Sequence, residues 1–241
     1  RMRDEFEGGN DLLRQNIDEE DIENLVIQQI EFCNIILLNK ASEVSKEELG
    51  KVREIIRTIQ PKAEIIECDY CDVDLDKLIH TEKFNFDEVA TSAAWIQELE
   101  NGHDHHHHHH HHDEGEAEEY GIGTFVYYAR RPLNLGLFDE FVARKWPTSI
   151  IRAKGICYFK GEEDICYVFE QAGRQVSLRN AGQWYATMPQ DQLDRLLAAE
   201  PKLKADWDAT YGDRMQKLVF IGQHMDENMK DFLREALDGC L

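Results

Sequence analysis

The chain has 241 residues, of which 42% are hydrophobic and 31% charged, enough material for one large domain or two modest ones. Its formal net charge of −21 argues against a nucleic-acid binder, because neutralising phosphates requires clustered Lys and Arg. No apolar run approaches the roughly 20 residues of a membrane-spanning helix, and no signal peptide is visible. The six cysteines do not form a secreted disulfide pattern, so a cytoplasmic location is predicted.

The first third of the chain alternates helical and strand patterns. Ser45 with Glu48 three residues later forms a capping box, which predicts the start of a helix. Two strands joined by a helix within about thirty residues form a βαβ unit, so these strands should be parallel. The predicted elements are a helix over 18–32, a strand over 35–38, a helix from Ser45 to Pro61 and a strand over 63–67.

Asn39-Lys40-Ala41-Ser42 follows the first predicted strand, where open α/β sheets bind ligands. The segment resembles the Asn-Lys-x-Asp motif by which P-loop GTPases read guanine. In that family the Asn contacts the base, the Lys stem packs along it, and the Asp accepts hydrogen bonds from two guanine nitrogens. The resemblance implies nucleotide contacts for Asn39, Lys40 and Ser42, but Ser42 replaces the Asp that gives guanine selectivity. Ordinary turn chemistry is the alternative interpretation.

The chain contains no Walker A sequence, Gly-x-x-x-x-Gly-Lys-Ser/Thr, to hold the phosphates and Mg²⁺. This chain alone is therefore expected not to hydrolyse GTP. The simplest interpretation is a fragment whose P-loop lies in a missing N-terminal portion.

Two segments could bind metal. Cys68-Asp69-Tyr70-Cys71 has the spacing of zinc ligands, but a single cysteine pair does not predict a closed zinc site. The favoured interpretation is that these are two loop cysteines without a metal role. A histidine-rich stretch with an acidic continuation is typical of a segment that collects zinc, cobalt, nickel or copper. Its metal affinity should fall when the pH drops below the histidine pKa of roughly 6.5, because protons then compete for the imidazoles. An inserted purification tag is the alternative. The predicted metal ligands are His103, His105, His106, His107, His108, His109, His110, His111 and His112.

In the second half of the chain, the order of strand and helix patterns predicts helices packed on one face of a mainly antiparallel sheet. It shows no catalytic constellation, and the three tryptophans Trp146, Trp184 and Trp207 are interpreted as packing anchors. Arg130 and Arg131 are interpreted as a solvated strand end, and contact with an acidic partner or with the other domain is the alternative. The predicted elements are strands over 122–129, 150–159, 165–171, 175–179 and 217–222, and helices over 135–145, 192–199 and from Asp226 onward.

Most of the chain resembles the CobW-type GTPases, P-loop metallochaperones that include the CobW proteins of cobalamin biosynthesis and the nitrile hydratase activators. The matching stretches are residues 18–25, 28–34, 38–40, 91–95, 120–127, 130–132, 212–214, 218–222 and 237–241, together with the histidine-rich loop. The predicted fold class is α/β, the C-terminal part of a P-loop GTPase parallel sheet, followed by an α+β CobW C-terminal domain. The predicted domains are a GTPase portion over 1–90, a histidine-rich linker over 91–120 and the C-terminal domain over 121–241.

The resemblance implies a GTP hydrolase that uses GTP and Mg²⁺ in its full-length form. The cargo would be zinc, with cobalt or another divalent transition metal as the alternative, delivered to a client metalloprotein. The family's Cys-x-Cys-Cys metal motif does not occur in this sequence. A non-enzymatic metal reservoir or adaptor is the second hypothesis. The oligomeric state is left open.

Overall fold

The computed structural model describes residues 19–83 and 121–241. The first range, here called the parallel unit, contains the predicted helix-strand-helix-strand order. Its elements are α1 (Glu19–Glu31), β1 (Ile35–Asn39), α2 (Lys46–Ile59) and β2 (Glu64–Cys68). Strands β1 and β2 are parallel, as predicted, with Ile35 opposite Glu64 and Asn39 opposite Cys68.

Helix α2 begins at the predicted capping box. The Ser45 hydroxyl accepts the Glu48 amide hydrogen at 3.2 Å, and the Glu48 carboxylate accepts the Ser45 amide hydrogen at 3.0 Å. These reciprocal bonds satisfy donors that a helix start otherwise leaves without partners. The helix buries Ile56 and Ile59, and this packing fixes the crossover that makes the two strands parallel.

The second range, here called the antiparallel unit, follows the predicted order with small differences at element ends. Its elements are β3 (Ile122–Ala129), α3 (Leu135–Arg144), β4 (Ile150–Cys157), β5 (Ile165–Ala172), β6 (Gln175–Gln183), α4 (Gln190–Ala199), α5 (Pro201–Ala205), β7 (Gln216–Gln223) and α6 (Glu227–Asp238). The sequence did not predict α5, and β6 runs four residues beyond the predicted 179. The strand order is β3-β7-β4-β5-β6, all antiparallel, so the last strand along the chain lies inside the sheet.

Helices α3 and α6 pack on this sheet through an aromatic-rich core. Leu233 and Leu237 of α6 are fully buried, and Trp146 contacts the rings of Phe141, Phe169 and Phe220 at centroid distances of 5.5–5.7 Å. The packing role predicted for Trp146 is therefore confirmed. The observed parallel sheet followed by an antiparallel α+β layer confirms the predicted fold class.

The interpretation of Arg130 as part of a solvated strand end is wrong. Its guanidinium donates to the Asp206 carboxylate at 2.9 Å and to the Asp206 carbonyl at 2.6 Å. It also reaches the carbonyls of Gly212 and Arg214 at 3.1 and 3.3 Å. The fork of a guanidinium can satisfy several acceptors at once, so Arg130 fastens the segment between α5 and β7 to the end of β3. Arg131 is exposed, as interpreted.

The parallel and antiparallel units meet through α1, which contacts β5 and β6, and through α2, which contacts β3. The carboxylate of Glu31, at the end of α1, contacts Arg152 in β4, and both side chains are 1% exposed. Gln60, which follows α2, is also buried and donates to the Glu31 carbonyl at 2.7 Å. Among the described residues, no helix is both long enough and apolar enough to cross a bilayer.

Candidate functional site

The candidate site lies at the edge where β1 and β2 both end. Asn39 closes β1 and is paired with Cys68, the last residue of β2, so the loops that follow the two strands emerge side by side. This edge is where open α/β sheets place their ligands. Two of the predicted nucleotide residues, Asn39 and Lys40, are exposed there.

Asn39 links the two loops through its side chain. Its Oδ1 accepts the amide hydrogen of Cys71 at 3.0 Å, and the Cys68 thiol lies 4.0 Å from the same oxygen. Because the amide oxygen is used inside the protein, the NH₂ group of Asn39 is the part that can donate to an incoming acceptor. A purine ring nitrogen or carbonyl is an acceptor of that kind.

Three non-glycine residues in these loops have a positive φ. Lys40 has φ 63°, Tyr70 has φ 53° and Cys71 has φ 56°, all in the left-handed region. A non-glycine residue there costs roughly 1–2 kcal/mol, so the surrounding bonds must hold it. The conformation at Lys40 turns the chain sharply out of β1 into a short 3₁₀ turn, Ala41–Glu43. Tyr70, between the two cysteines, is 95% exposed.

Ser42, the third predicted nucleotide residue, contacts the opposite loop. Its amide hydrogen and its hydroxyl both donate to Oδ1 of Asp69, at 3.1 and 2.8 Å. Sequence reasoning did not select Asp69. The signal was available, because the predicted parallel pairing of the strands brings the residue after Cys68 beside the segment after Asn39.

The Cys68–Cys71 pair does not form a metal site with any neighbour in the part of the chain that the structure describes. Burial raises the pKa of the Cys68 thiol, and the nearby Cys71 and Asp69 raise it further. A thiol held protonated is a poor metal ligand. Within residues 19–83 and 121–241, no three His, Cys, Asp or Glu side chains are arranged to hold a metal ion. The predicted histidine ligands, His103 and 105–112, lie outside the described residues, so their role stays a prediction.

Two family models match the chain. The nucleotide-binding domain of the CobW, HypB and UreG proteins matches residues 9–67, which contain Asn39, Lys40 and Ser42. The C-terminal domain of the cobalamin synthesis protein CobW matches residues 122–241. This chain belongs to the CobW family. The two CobW-family matches correspond to the parallel and antiparallel units.

A curated relative is the zinc-regulated GTPase metalloprotein activator 1 of Dictyostelium discoideum, 29% identical over 234 residues. The alignment covers 96% of this chain and 46% of that protein, so the chain spans about half the length of the curated relative it matches.

Two solved structures are similar to the chain. One is a zinc-bound triple mutant of the YjiA GTPase, with 17% identity, 92% of this chain and 57% of that one covered, and a TM-score of 0.40. The other is the zinc-bound YjiA GTPase from E. coli, with 16% identity, 93% and 57% coverage, and a TM-score of 0.39. These TM-scores are low, so the family assignment rests on the two family models.

Proposed function

We propose that this chain is the base-binding and C-terminal part of a GTP-dependent metallochaperone that carries zinc, or alternatively cobalt, to a client metalloprotein. The observation that carries the proposal is the pairing of Asn39 with the loop after β2, inside the segment matched by a nucleotide-binding family model. The Dictyostelium relative is named a zinc-regulated GTPase metalloprotein activator, and this name supports zinc as the cargo.

The base end of a nucleotide fits the described residues. Asn39 offers a donor, Lys40 offers a flexible cationic stem, and both lie in an exposed edge between two loops. When bound, Mg²⁺ would neutralise charge on the phosphates. The 241 residues contain no Walker A sequence for those phosphates, so base binding without GTP turnover is the activity expected of this chain.

The histidine-rich segment supplies the metal-binding part of the proposal. Nine of the eleven histidines fall within residues 103–112, followed by an acidic stretch that attracts cations. Many equivalent imidazoles on one segment provide several exchanging sites, which suits a loading arm more than a single selective cage.

Two measurements on the purified chain test the proposal. In ¹⁵N NMR titrations, guanosine should shift the amide signals of Asn39 and Cys71, because the base would lie against both loops. In calorimetry with ZnCl₂, deleting residues 103–112 should remove most of the zinc capacity. A chain that shows neither guanosine shifts nor zinc binding contradicts the proposal, and measurable GTP turnover contradicts the expectation that this chain is inactive.

The second candidate function is a metal reservoir or protein-interaction adaptor without nucleotide chemistry. It is favoured by the nine histidines within residues 103–112, which could bind metal without a nucleotide. Zinc capacity that depends on residues 103–112, combined with no response to guanosine, would favour the reservoir over the metallochaperone. If the capacity survives the deletion intact, the reservoir function is wrong.

A further inference from the structure

The Asn-Lys-x-Asp motif reads guanine with a carboxylate, and this chain has the neutral Ser42 at that place. We propose that Asp69, on the loop after β2, supplies the missing carboxylate and makes the site selective for guanine. The inference rests on the proposed nucleotide function and names the residue that selects the base.

The Asp69 carboxylate is fixed against the motif by two bonds. The Ser42 amide and hydroxyl both donate to Oδ1, at 3.1 and 2.8 Å, so the carboxylate lies directly beside the position that the motif Asp would occupy. A carboxylate has about four acceptor positions, and these bonds use two of them. Oδ2 accepts no hydrogen bond from the residues that the structure describes. It remains available to a ligand.

The hydrogen-bond donors of guanine are complementary to an ionised carboxylate. Its N1–H and its exocyclic N2 amino group present two adjacent donors on one edge, and the two acceptor positions of Oδ2 can accept from both. Adenine presents an acceptor at N1, which a carboxylate repels. Hydrogen bonds to a charged acceptor are about twice as strong as neutral ones, so the discrimination between the two bases should be large. The hydroxyl of Ser42 alone could not provide it.

The loop that carries Asp69 is held in place before any ligand arrives. Asn39 binds the amide of Cys71 at 3.0 Å, and the amide of Asp72 donates to the Asp69 carbonyl at 2.9 Å. Tyr70, next to Asp69, stays in the left-handed region. The two motif residues Asn39 and Ser42 therefore each fasten one point of the same loop. A pre-organised acceptor loses less entropy when it binds its ligand.

A purely structural role for Asp69 is the competing explanation, because its carboxylate also satisfies the Ser42 amide. The two roles differ in what Asp69→Asn would change. An asparagine can still accept from Ser42 through Oδ1, so the loop should stay folded. Its NH₂ group, however, replaces the second acceptor with a donor, which suits the 2-carbonyl of xanthine and opposes the 2-amino group of guanine.

NMR titrations of the ¹⁵N-labelled 241-residue chain with guanosine, xanthosine and adenosine provide the test. In the unsubstituted chain, guanosine should bind more tightly than the other two nucleosides. In Asp69→Asn, guanosine affinity should fall about tenfold to a hundredfold, the expected effect of losing a charged hydrogen-bond partner, and xanthosine affinity should rise. An unchanged ratio of guanosine to xanthosine affinity in this variant would overturn the inference.

The control variant is Asp72→Asn, which removes the same charge from the same exposed loop. It should leave the guanosine preference within about twofold, because the side chain of Asp72 does not contact Ser42. A loss of preference equal to that of Asp69→Asn would show a general charge effect and would also overturn the inference. If no nucleoside shifts the signals of Asn39 and Cys71 in the unsubstituted chain, the proposed nucleotide site itself fails. The two failures are thereby distinguishable.

Discussion

Glu31 and Arg152 form a two-point ion pair across 121 residues of sequence. Oε1 of Glu31 accepts from Nε of Arg152 at 2.6 Å, and Oε2 accepts from Nη2 at 3.0 Å. Each side chain is only 1% exposed, so each charge depends on the other for the stabilisation that hydration would otherwise provide. The pair is the most deeply buried polar link between the described parts of the parallel and antiparallel units.

Breaking this pair from one side should destabilise the chain. In Glu31→Gln the cation of Arg152 keeps Glu170, 3.7 Å away, as its one anionic neighbour among the described residues. The free energy of unfolding in urea should fall by about 3 kcal/mol, the lower end of the range for a broken buried pair. Glu47→Gln removes an equal charge from the exposed pair with Lys51 and should change it by under about 0.5 kcal/mol.

Removing both charges should be far less harmful than removing one. The double variant Glu31→Leu, Arg152→Met leaves neither charge of this pair buried without its partner, and replacing a buried ion pair by apolar side chains is often neutral. Its free energy of unfolding should recover most of the loss seen in Glu31→Gln. A double variant that is less stable than the single one would show that other bonds of Arg152, such as that to the Gln171 carbonyl, dominate.

Acid should weaken the charge cluster around Glu170. Burial opposes ionisation of this carboxyl, but the cations of Lys154 and Arg179 outweigh it and hold its pKa below the ordinary 4.5. A lowered folded-state pKa gives stability that is present above pH 4.5 and lost as the pH falls through the folded value. Between pH 6 and pH 3 (roughly the titration range of a carboxyl), unfolding free energy should therefore fall less steeply in Glu170→Gln than in the unsubstituted chain. Equal slopes in urea titrations would contradict this.

Gly155 lies in β4 opposite Leu218 of β7, with no room for a side chain. A Cβ at this position would be 2.0 Å from the Lys217 carbonyl oxygen and 2.8 Å from the Leu218 Cα. Gly155→Ala must separate two interior strands and should cost about 3 kcal/mol in thermal or urea unfolding. Gly136→Ala is the control, because its Cβ would have its nearest neighbour at 3.4 Å and would improve helix propensity in α3 by about 0.5 kcal/mol.

The neighbours Arg130 and Arg131 should respond differently to the same change. Arg130→Met removes the guanidinium that donates to the Asp206 carboxylate and to the carbonyls of Asp206, Gly212 and Arg214, at a cost of about 2–3 kcal/mol. Arg131→Met, at an exposed position, should change the free energy of unfolding by under about 0.5 kcal/mol. Equal effects on the urea midpoint would show that the bonds of Arg130 add little.

Local patterns predicted most elements of this fold. Ser45 and Glu48 identified the start of α2, because a capping box acts over a few neighbouring residues. The parallel pairing of β1 and β2 followed from the short crossover between them. Helix α5 was missed because five residues are too few to show a period.

These local patterns could not predict contacts between segments that are distant in the sequence. Glu31 and Arg152 are ordinary surface residue types, and nothing in their local sequence shows that each would bury the other. Arg130 was interpreted as solvated because its partners lie more than seventy residues away. Asp69 lies between these cases, since its proximity to Ser42 follows from strand register but its bonds depend on side-chain geometry.

The interior place of β7 has a consequence for biosynthesis. Residues 216–223 lie between β3 and β4, so until they leave the ribosome those two strands have no shared partner. We expect ribosome-bound chains stalled before residue 216 to be digested readily by protease, and chains stalled well beyond 241 through an added linker to resist it. The nascent sheet would keep its apolar face open for most of its synthesis, during which chaperones rather than its own packing must protect it.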